Sequence, residues 1–178
     1  MPDLPSPLLQ PGDHEPILTD PETRAAYAMA ARAVLAGKYP RAPLRVVTAR
    51  LRPTPEVRLA EAVHSQALRT NRAFLEEVVM VELAPLGAEQ IKFGAEGTAD
   101  SLERARQLLL SAAQHDDEAL SVDSYLTVLL ARTRGSLRHC WPEVEVVALA
   151  LIERGVLDEV EIAHRVRCVQ GIRSVTLN

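Results

Sequence analysis

Apolar residues recur at every third or fourth position through most of this chain, and this helical periodicity restricts its fold more than any other feature. The sequence Thr19-Asp20-Pro21-Glu22 supplies a helix start: a capping side chain, a proline in the first turn and an acid near the positive end of the dipole. Further helices are predicted over residues 55–84, 86–93, 98–112, 122–138, 141–153 and 158–167. The chain should therefore be mostly α-helical, with about six helices.

Several breaks and caps divide this helical pattern. A break is predicted near Thr70, and Pro85 should kink or interrupt its helix because proline has no amide hydrogen to donate. Residues 114–119 are predicted to be an acidic loop. Asp158 and Glu161 have the spacing of a capping box in front of the last helix.

Two segments are rich in β-branched residues and predict strands, over residues 44–51 and 172–177. The first is bounded by Pro43 and Pro53. Because a single strand cannot pair its own backbone groups, we expect these two segments to pair with each other. The fold class is therefore mostly α (α+β), a helical bundle with a minimal β-sheet.

Five prolines crowd the first 18 residues. Proline fixes the backbone and removes donors, so this arm is predicted to be extended or disordered, or alternatively to dock on a neighbouring subunit. The rest of the 178-residue chain, residues 19–178, has a length typical of a single domain.

Composition excludes several classes of protein. A net charge of −4 and only 3% aromatic residues disfavour nucleic-acid binding. Two cysteines, Cys140 and Cys168, are too few for a disulfide scaffold or for a four-thiolate zinc site within one chain. No apolar run is long enough to span a membrane, and the N-terminus lacks the pattern of a signal peptide, so we expect a cytoplasmic protein.

Three strings occur in a particular order along the chain: AYAMAARAVLA over residues 26–36, LAPLGAEQIKFG over residues 83–94, and GTADSLERA over residues 97–105. They are similar to A-Y-H-E-A-G-H-A-V-V-A, L-A-G-R-A-A-E-E-L-V-F-G and T-x-G-A-x-N-D-L-E-R-A-T. These patterns belong to the peptidase domain of the FtsH family of ATP-dependent zinc metallopeptidases, which this chain resembles over residues 22–168. The resemblance implies a stand-alone, degenerate peptidase domain, without the family's ATPase module.

The resemblance places the family's catalytic and zinc-binding roles on residues that cannot perform them. Ala28 and Arg32 stand at the two imidazole positions, Met29 stands at the general base, and Ser101, beside Asp100, stands at the further ligand. A methyl group cannot bind a metal, a guanidinium repels a dication, and a thioether cannot accept a proton at neutral pH. We therefore expect no catalytic residue, no metal and no cofactor at this vestigial site.

Arg32 should point towards the vacated metal position, where a buried charge is costly without a partner. Asp100, or less favourably Glu103, would then form an ion pair with Arg32 in place of zinc. The alternative is that Arg32 reaches solvent. A second alignment, with residues 62–67 as the zinc helix, also lacks the required glutamate and second histidine, because Ser65 and Leu68 occupy those positions.

Cysteine and histidine residues outside the aligned strings form no pattern typical of a site. Cys140 is predicted to be a small core residue. His164, on the last predicted helix, has no partner that the sequence identifies.

These observations favour a catalytically inactive, metallopeptidase-like protein that acts as a protein-binding or scaffolding module. Self-association into a homo-oligomer is a second kind of partnership, because the family that the chain resembles works as rings. One alternative is an active hydrolase or metallopeptidase with a site elsewhere in the chain. Another is a nucleic-acid-associated stress protein, with a basic patch at Arg41, Arg45, Arg50 and Arg52.

Overall fold

Eight α-helices and a small antiparallel sheet make up the part of the chain that the computed structural model describes, residues 20–94 and 99–176. The helices are α1 (Pro21–Ala36), α2 (Ser65–Thr70), α3 (Arg72–Phe93), α4 (Ala99–Ala112), α5 (Asp116–Leu120), α6 (Val122–His139), α7 (Trp141–Arg154) and α8 (Glu159–Thr176). The strands are β1 (Val46–Arg50), β2 (Glu56–Leu59) and β3 (Val156–Asp158). The predicted class, mostly α with a minimal sheet, is confirmed.

Helix α1 packs closely against its neighbours because most of its inward side chains are alanine. It contacts mainly α3 and α7, while the long helix α3 also contacts α4 and α6. Ala26, Ala30 and Ala36 are fully buried at these contacts. Tyr27 stacks on Trp141 of α7 with ring centroids 5.9 Å apart, which fixes the distance between these two helices.

The sheet has the order β2-β1-β3, and both pairs of strands are antiparallel. The central strand β1 lies within the predicted segment 44–51. Its Ala49 faces Val57 of β2 and Leu157 of β3. Since all three of these side chains are buried, one face of the sheet packs onto the helices.

The predicted C-terminal strand over residues 172–177 is wrong. Helix α8 continues through Thr176, while residue 177 lies outside the described residues. The partner of β1 is instead β3, three residues that directly follow the left-handed Gly155 at the end of α7. The preference of β-branched residues for strands is weak and depends on context, and here these residues continue the helix that begins at Glu159.

The predicted helix over residues 55–84 begins too early. Residues 56–59 form the edge strand β2, and the first helical residues after it belong to α2. The predicted break near Thr70 is confirmed: Asn71 caps α3 by accepting a hydrogen bond from the Phe74 amide at 3.0 Å. Pro85 lies inside α3 without ending it, since α1, α4 and α6 all pack around that helix.

The remaining helix boundaries agree closely with the sequence, except that α8 ends at Thr176 and not near residue 167 as predicted. Gly94 ends α3 with a φ of 63°, a left-handed conformation that favours glycine. The capping box is present: the Glu161 amide donates to Asp158 Oδ1 at 2.8 Å, and the Asp158 amide donates to Glu161 Oε2 at 3.1 Å. The predicted acidic loop over residues 114–119 is wrong for most of its length, because the short helix α5 begins at Asp116 and ends at Leu120.

The predicted proline-rich arm, residues 1–18, lies outside the described residues, and the single domain over residues 19–178 stays a prediction. Across the described part of the chain, every helix is too short or too polar to cross a membrane.

Candidate functional site

Helix α1 carries three of the residues that the resemblance assigns to the vestigial site, Ala28, Met29 and Arg32. Ala28 is buried, Met29 packs against the core, and Arg32, one turn after Ala28, is partly buried. Helix α4 contributes Ser101, which is buried, and Asp100, which is exposed at the start of the helix.

Arg32 takes part in a cluster of charges that joins three helices. Its Nη2 donates to Glu82 Oε1 on α3, and Nε of Arg104 on α4 lies 3.3 Å from the other oxygen of the same carboxylate. Arg104 Nη2 also donates to Ser101 Oγ at 3.4 Å. We call these four residues the arginine–glutamate cluster. It cross-links α1, α3 and α4.

The expected ion pair between Arg32 and Asp100 is replaced by the pair between Arg32 and Glu82. Glu82 lies on the helix that packs directly against α1, and its side chain is only 13% exposed. Asp100 faces solvent instead, and Glu103 accepts a hydrogen bond from Gln107. The sequence does contain a signal for the observed pair: Glu82 is the only charged residue in the apolar run 78–84, and a carboxylate in such a run needs a partner when it is buried.

The arginine–glutamate cluster has the wrong donor set for zinc. It offers one carboxylate, already bound by two guanidinium groups, and neither an imidazole nor a thiolate. Within residues 20–94 and 99–176, no group of three or more histidine, cysteine or acidic residues could hold a metal ion. The alternative zinc helix does not form either, since His64 precedes α2 rather than lying within it.

A groove of about 550 Å³ lies between α8 and the segment that leads from α1 to β1. We call it the α1–α8 groove. Apolar side chains of both helices form its floor, among them Val34, Ile162 and Val166. Its charged lining residues are four cations and one carboxylate: Lys38, Arg41, Arg45, Arg167 and Glu159.

Three of the four cations of the α1–α8 groove have carboxylate partners. Lys38 pairs with Glu143 at 3.5 Å, Arg41 with Glu77 at 2.7 Å, and Arg45 with Glu159 at 2.8 Å. Arg167 is exposed, and no carboxylate of the described residues lies within ion-pair distance of it. The groove therefore keeps one positive charge that a bound group could neutralise.

The predicted basic patch is neutralised internally. Each of its four arginines forms an ion pair with a glutamate: Arg41 with Glu77, Arg45 with Glu159, Arg50 with Glu56 and Arg52 with Glu22. With one carboxylate beside each guanidinium, the patch presents little net positive charge to a phosphate backbone. This weakens the case for nucleic-acid binding at the patch.

A second cluster of polar groups lies where α3 and α6 meet, beside a hollow of about 530 Å³. The Tyr125 hydroxyl donates to Glu76, and Arg132 Nη1 lies 2.6 Å from the other oxygen of that carboxylate. The hydrogen bond from Tyr125 is the main cause of the lowered pKa of Glu76, and Arg132 adds to it. Burial, followed by the Glu76 carboxylate, raises the pKa of Tyr125.

The structure gives His164 a neighbour that sequence reasoning missed. Cys168 Sγ lies 3.7 Å from His164 Nε2, one helical turn away on α8, and both residues are exposed. The predicted helix ended at residue 167, one residue before the cysteine, so the pairing could not be expected from it. The other cysteine, Cys140, is buried in the core, as predicted.

A scan of the chain against protein-family models and a search among curated proteins each gave no match. The resemblance to the FtsH peptidase domain therefore stays a prediction.

Proposed function

We propose that this chain is a catalytically inactive, metallopeptidase-like protein that binds another protein in the α1–α8 groove. The single observation that supports binding is the shape and lining of this groove: about 550 Å³, an apolar floor, and one cation, Arg167, with no carboxylate within ion-pair distance among the described residues. Peptide-binding sites combine apolar pockets with a few polar groups that fix the orientation of the ligand, and this groove has both.

The proposed occupant is an extended segment of a partner protein that carries apolar side chains and at least one carboxylate. The floor around Val34, Ile162 and Val166 would accept the apolar side chains. Arg167, which has no carboxylate within ion-pair distance among the described residues, would bind the acid. Charge complementarity of this kind selects acidic partners and speeds their association.

The lack of catalysis is proposed from the residues at the vestigial site. The resemblance assigns Arg32 to the second imidazole position, and the guanidinium of Arg32 donates a hydrogen bond to Glu82. This arrangement provides neither a ligand set for zinc nor a general base to activate water. The chemistry of Ala28, Met29 and Ser101 supports the same conclusion.

The proposed location is the cytoplasm. Both cysteines of the described residues are free thiols, which suits a reducing compartment. The paired arginines of the basic patch support a protein partner rather than a nucleic acid.

The test compares capture of partners by the full chain and by its Arg167→Glu variant, in an extract of the native host. An acidic segment of a protein retained by the wild type is then synthesised and titrated into both chains by calorimetry. We expect the peptide to bind the wild type with an affinity that falls as the salt concentration rises. Its affinity for Arg167→Glu should be lower by a factor of about ten or more.

The matched control is Arg138→Glu, which makes the same charge change at an exposed residue of α6 outside the α1–α8 groove. This control should bind the peptide like the wild type. Equal affinity of the peptide for the wild type and for Arg167→Glu would refute the groove as the binding site.

A further inference from the structure

His164 and Cys168 have the geometry of two zinc ligands. With zinc–sulfur and zinc–nitrogen distances of about 2.3 and 2.0–2.1 Å, a tetrahedral ion holds a thiolate and an imidazole nitrogen about 3.5 Å apart. The observed distance between Cys168 Sγ and His164 Nε2 is 3.7 Å. The two side chains could therefore chelate one ion without moving apart or changing the helix.

Two exposed apolar side chains lie on the same face of α8, one on either side of this pair, and Glu161, which forms an ion pair with Arg154, lies within the same arc. Val160 and Ile172 flank it at intervals of four residues, and their side chains are 71% and 69% exposed. At 3.6 residues per turn the four positions lie within about 120° of arc. The opposite face of α8 carries the buried Ile162 and Val169, so this exposed face is directed away from the rest of the described chain.

We propose that His164 and Cys168 form half of a zinc site, which a second copy of this chain completes across a two-fold axis. Structural zinc sites are almost always four-coordinate, and cysteine and histidine in equal number are one of their common ligand sets. One chain supplies two ligands. The partner's His164 and the partner's Cys168 would supply the other two, as a two-fold axis requires.

The charge balance of the completed site favours an apolar interface. Binding releases one proton from each Cys168 thiol, and two thiolates together neutralise the two positive charges of the ion. The neutral centre would then lie between the flanking Val160 and Ile172 side chains of both copies, which become shielded from water. The proposal does not involve the α1–α8 groove, which lies along the other side of α8.

The experiment is a titration of the reduced full chain with Co²⁺, followed by absorption spectroscopy and analytical ultracentrifugation. Tetrahedral Co²⁺ bound to thiolates gives intense visible bands and a sulfur-to-metal charge-transfer band. We expect these bands to saturate at one ion for two chains, with a dimer forming in parallel. Zn²⁺ should abolish the bands while the dimer persists, and EDTA should return the protein to monomers.

Variants at exposed positions identify the ligands without disturbing the core. Cys168→Ser should abolish the charge-transfer band, and His164→Gln should weaken metal binding at least tenfold. His115→Gln, a histidine change at the start of α5, should leave the titration unchanged. The proposal is overturned by saturation at one ion per chain on a monomer, by the absence of a charge-transfer band, or by a dimer that EDTA does not dissociate.

Discussion

Two guanidinium groups share the Glu82 carboxylate at the meeting point of α1, α3 and α4. The cluster is partly buried, so the ion pairs are less screened than those on an open surface. Removing one member leaves the others partly desolvated without a counter-charge. Such a loss costs more than the pair contributed when intact.

Neutralising Glu82 should therefore destabilise the protein measurably. We expect Glu82→Gln to lower the free energy of unfolding by about 2 kcal/mol, because Arg32 and Arg104 both lose their carboxylate. Asp100→Asn is the matched control, since Asp100 is exposed, and it should change the stability by less than about 0.5 kcal/mol. Chemical denaturation measures both. The reverse order of the two effects would mean that Arg32 pairs with Asp100 in solution.

The Glu76 carboxylate should make the stability of the fold fall in acid. Its pKa is lower in the folded chain, mainly because it accepts the Tyr125 hydrogen bond. Its ionised form therefore stabilises the fold above its ordinary pKa of about 4.3, and this contribution disappears as the pH falls through the lowered folded value.

The variant Tyr125→Phe tests this dependence, because it removes the hydroxyl and keeps the ring over which Arg72 lies. At pH 7 we expect a loss of about 1 kcal/mol, and the difference from the wild type should shrink as the pH falls below about 4. Tyr39→Phe removes a hydroxyl that donates to the Met80 sulfur at 3.6 Å and not to a carboxylate, so it serves as the control, with a much smaller trend. A pH-independent loss in Tyr125→Phe would contradict this explanation.

At the scale of elements, helices α3 and α6 pack closely against each other. Gly87 makes this possible: a Cβ atom at that position would lie 3.0 Å from the Cδ1 of the buried Leu137. Gly135 on α6 lies in the interior of a helix too, but a Cβ there would meet no atom of the described residues within 4 Å.

These two glycines give a matched pair of substitutions. Gly87→Val should cost about 1–3 kcal/mol, because the branched side chain forces α3 and α6 apart. Gly135→Val should be neutral or slightly stabilising, since any residue reduces the conformational freedom that glycine has in the unfolded chain. Thermal unfolding measures both, and equal effects at the two positions would show that the helices do not approach closely at Gly87.

Sequence periodicity identified the long helices and β1, because each of these segments has enough residues to show a repeat. Strand β3 has only three residues and comes soon after the end of α7, so the alternation typical of a strand cannot be recognised in its sequence. Strand β2 begins at Glu56, directly after Pro55, and a proline followed by an acid also suits a helix start. At the vestigial site, Arg32 was placed correctly on α1, but its partner depends on which helices pack together, which local patterns do not specify.

At the scale of the whole molecule, the two proposals concern opposite sides of α8. One side lines the α1–α8 groove, and the other carries His164 and Cys168. A dimer formed through the second side would leave the groove of each copy open. Two partner segments could then be held at once, which raises the apparent affinity for a partner that carries two such segments.

Our central proposal is that the residues aligned with a zinc peptidase site do not support peptide hydrolysis. The direct measurement is the degradation of an unfolded protein, such as casein, by the full chain supplied with Zn²⁺, in parallel with and without a chelator. We predict no cleavage in either sample, whether or not His164 and Cys168 bind metal. Cleavage that proceeds with Zn²⁺ and stops with the chelator would contradict the claim.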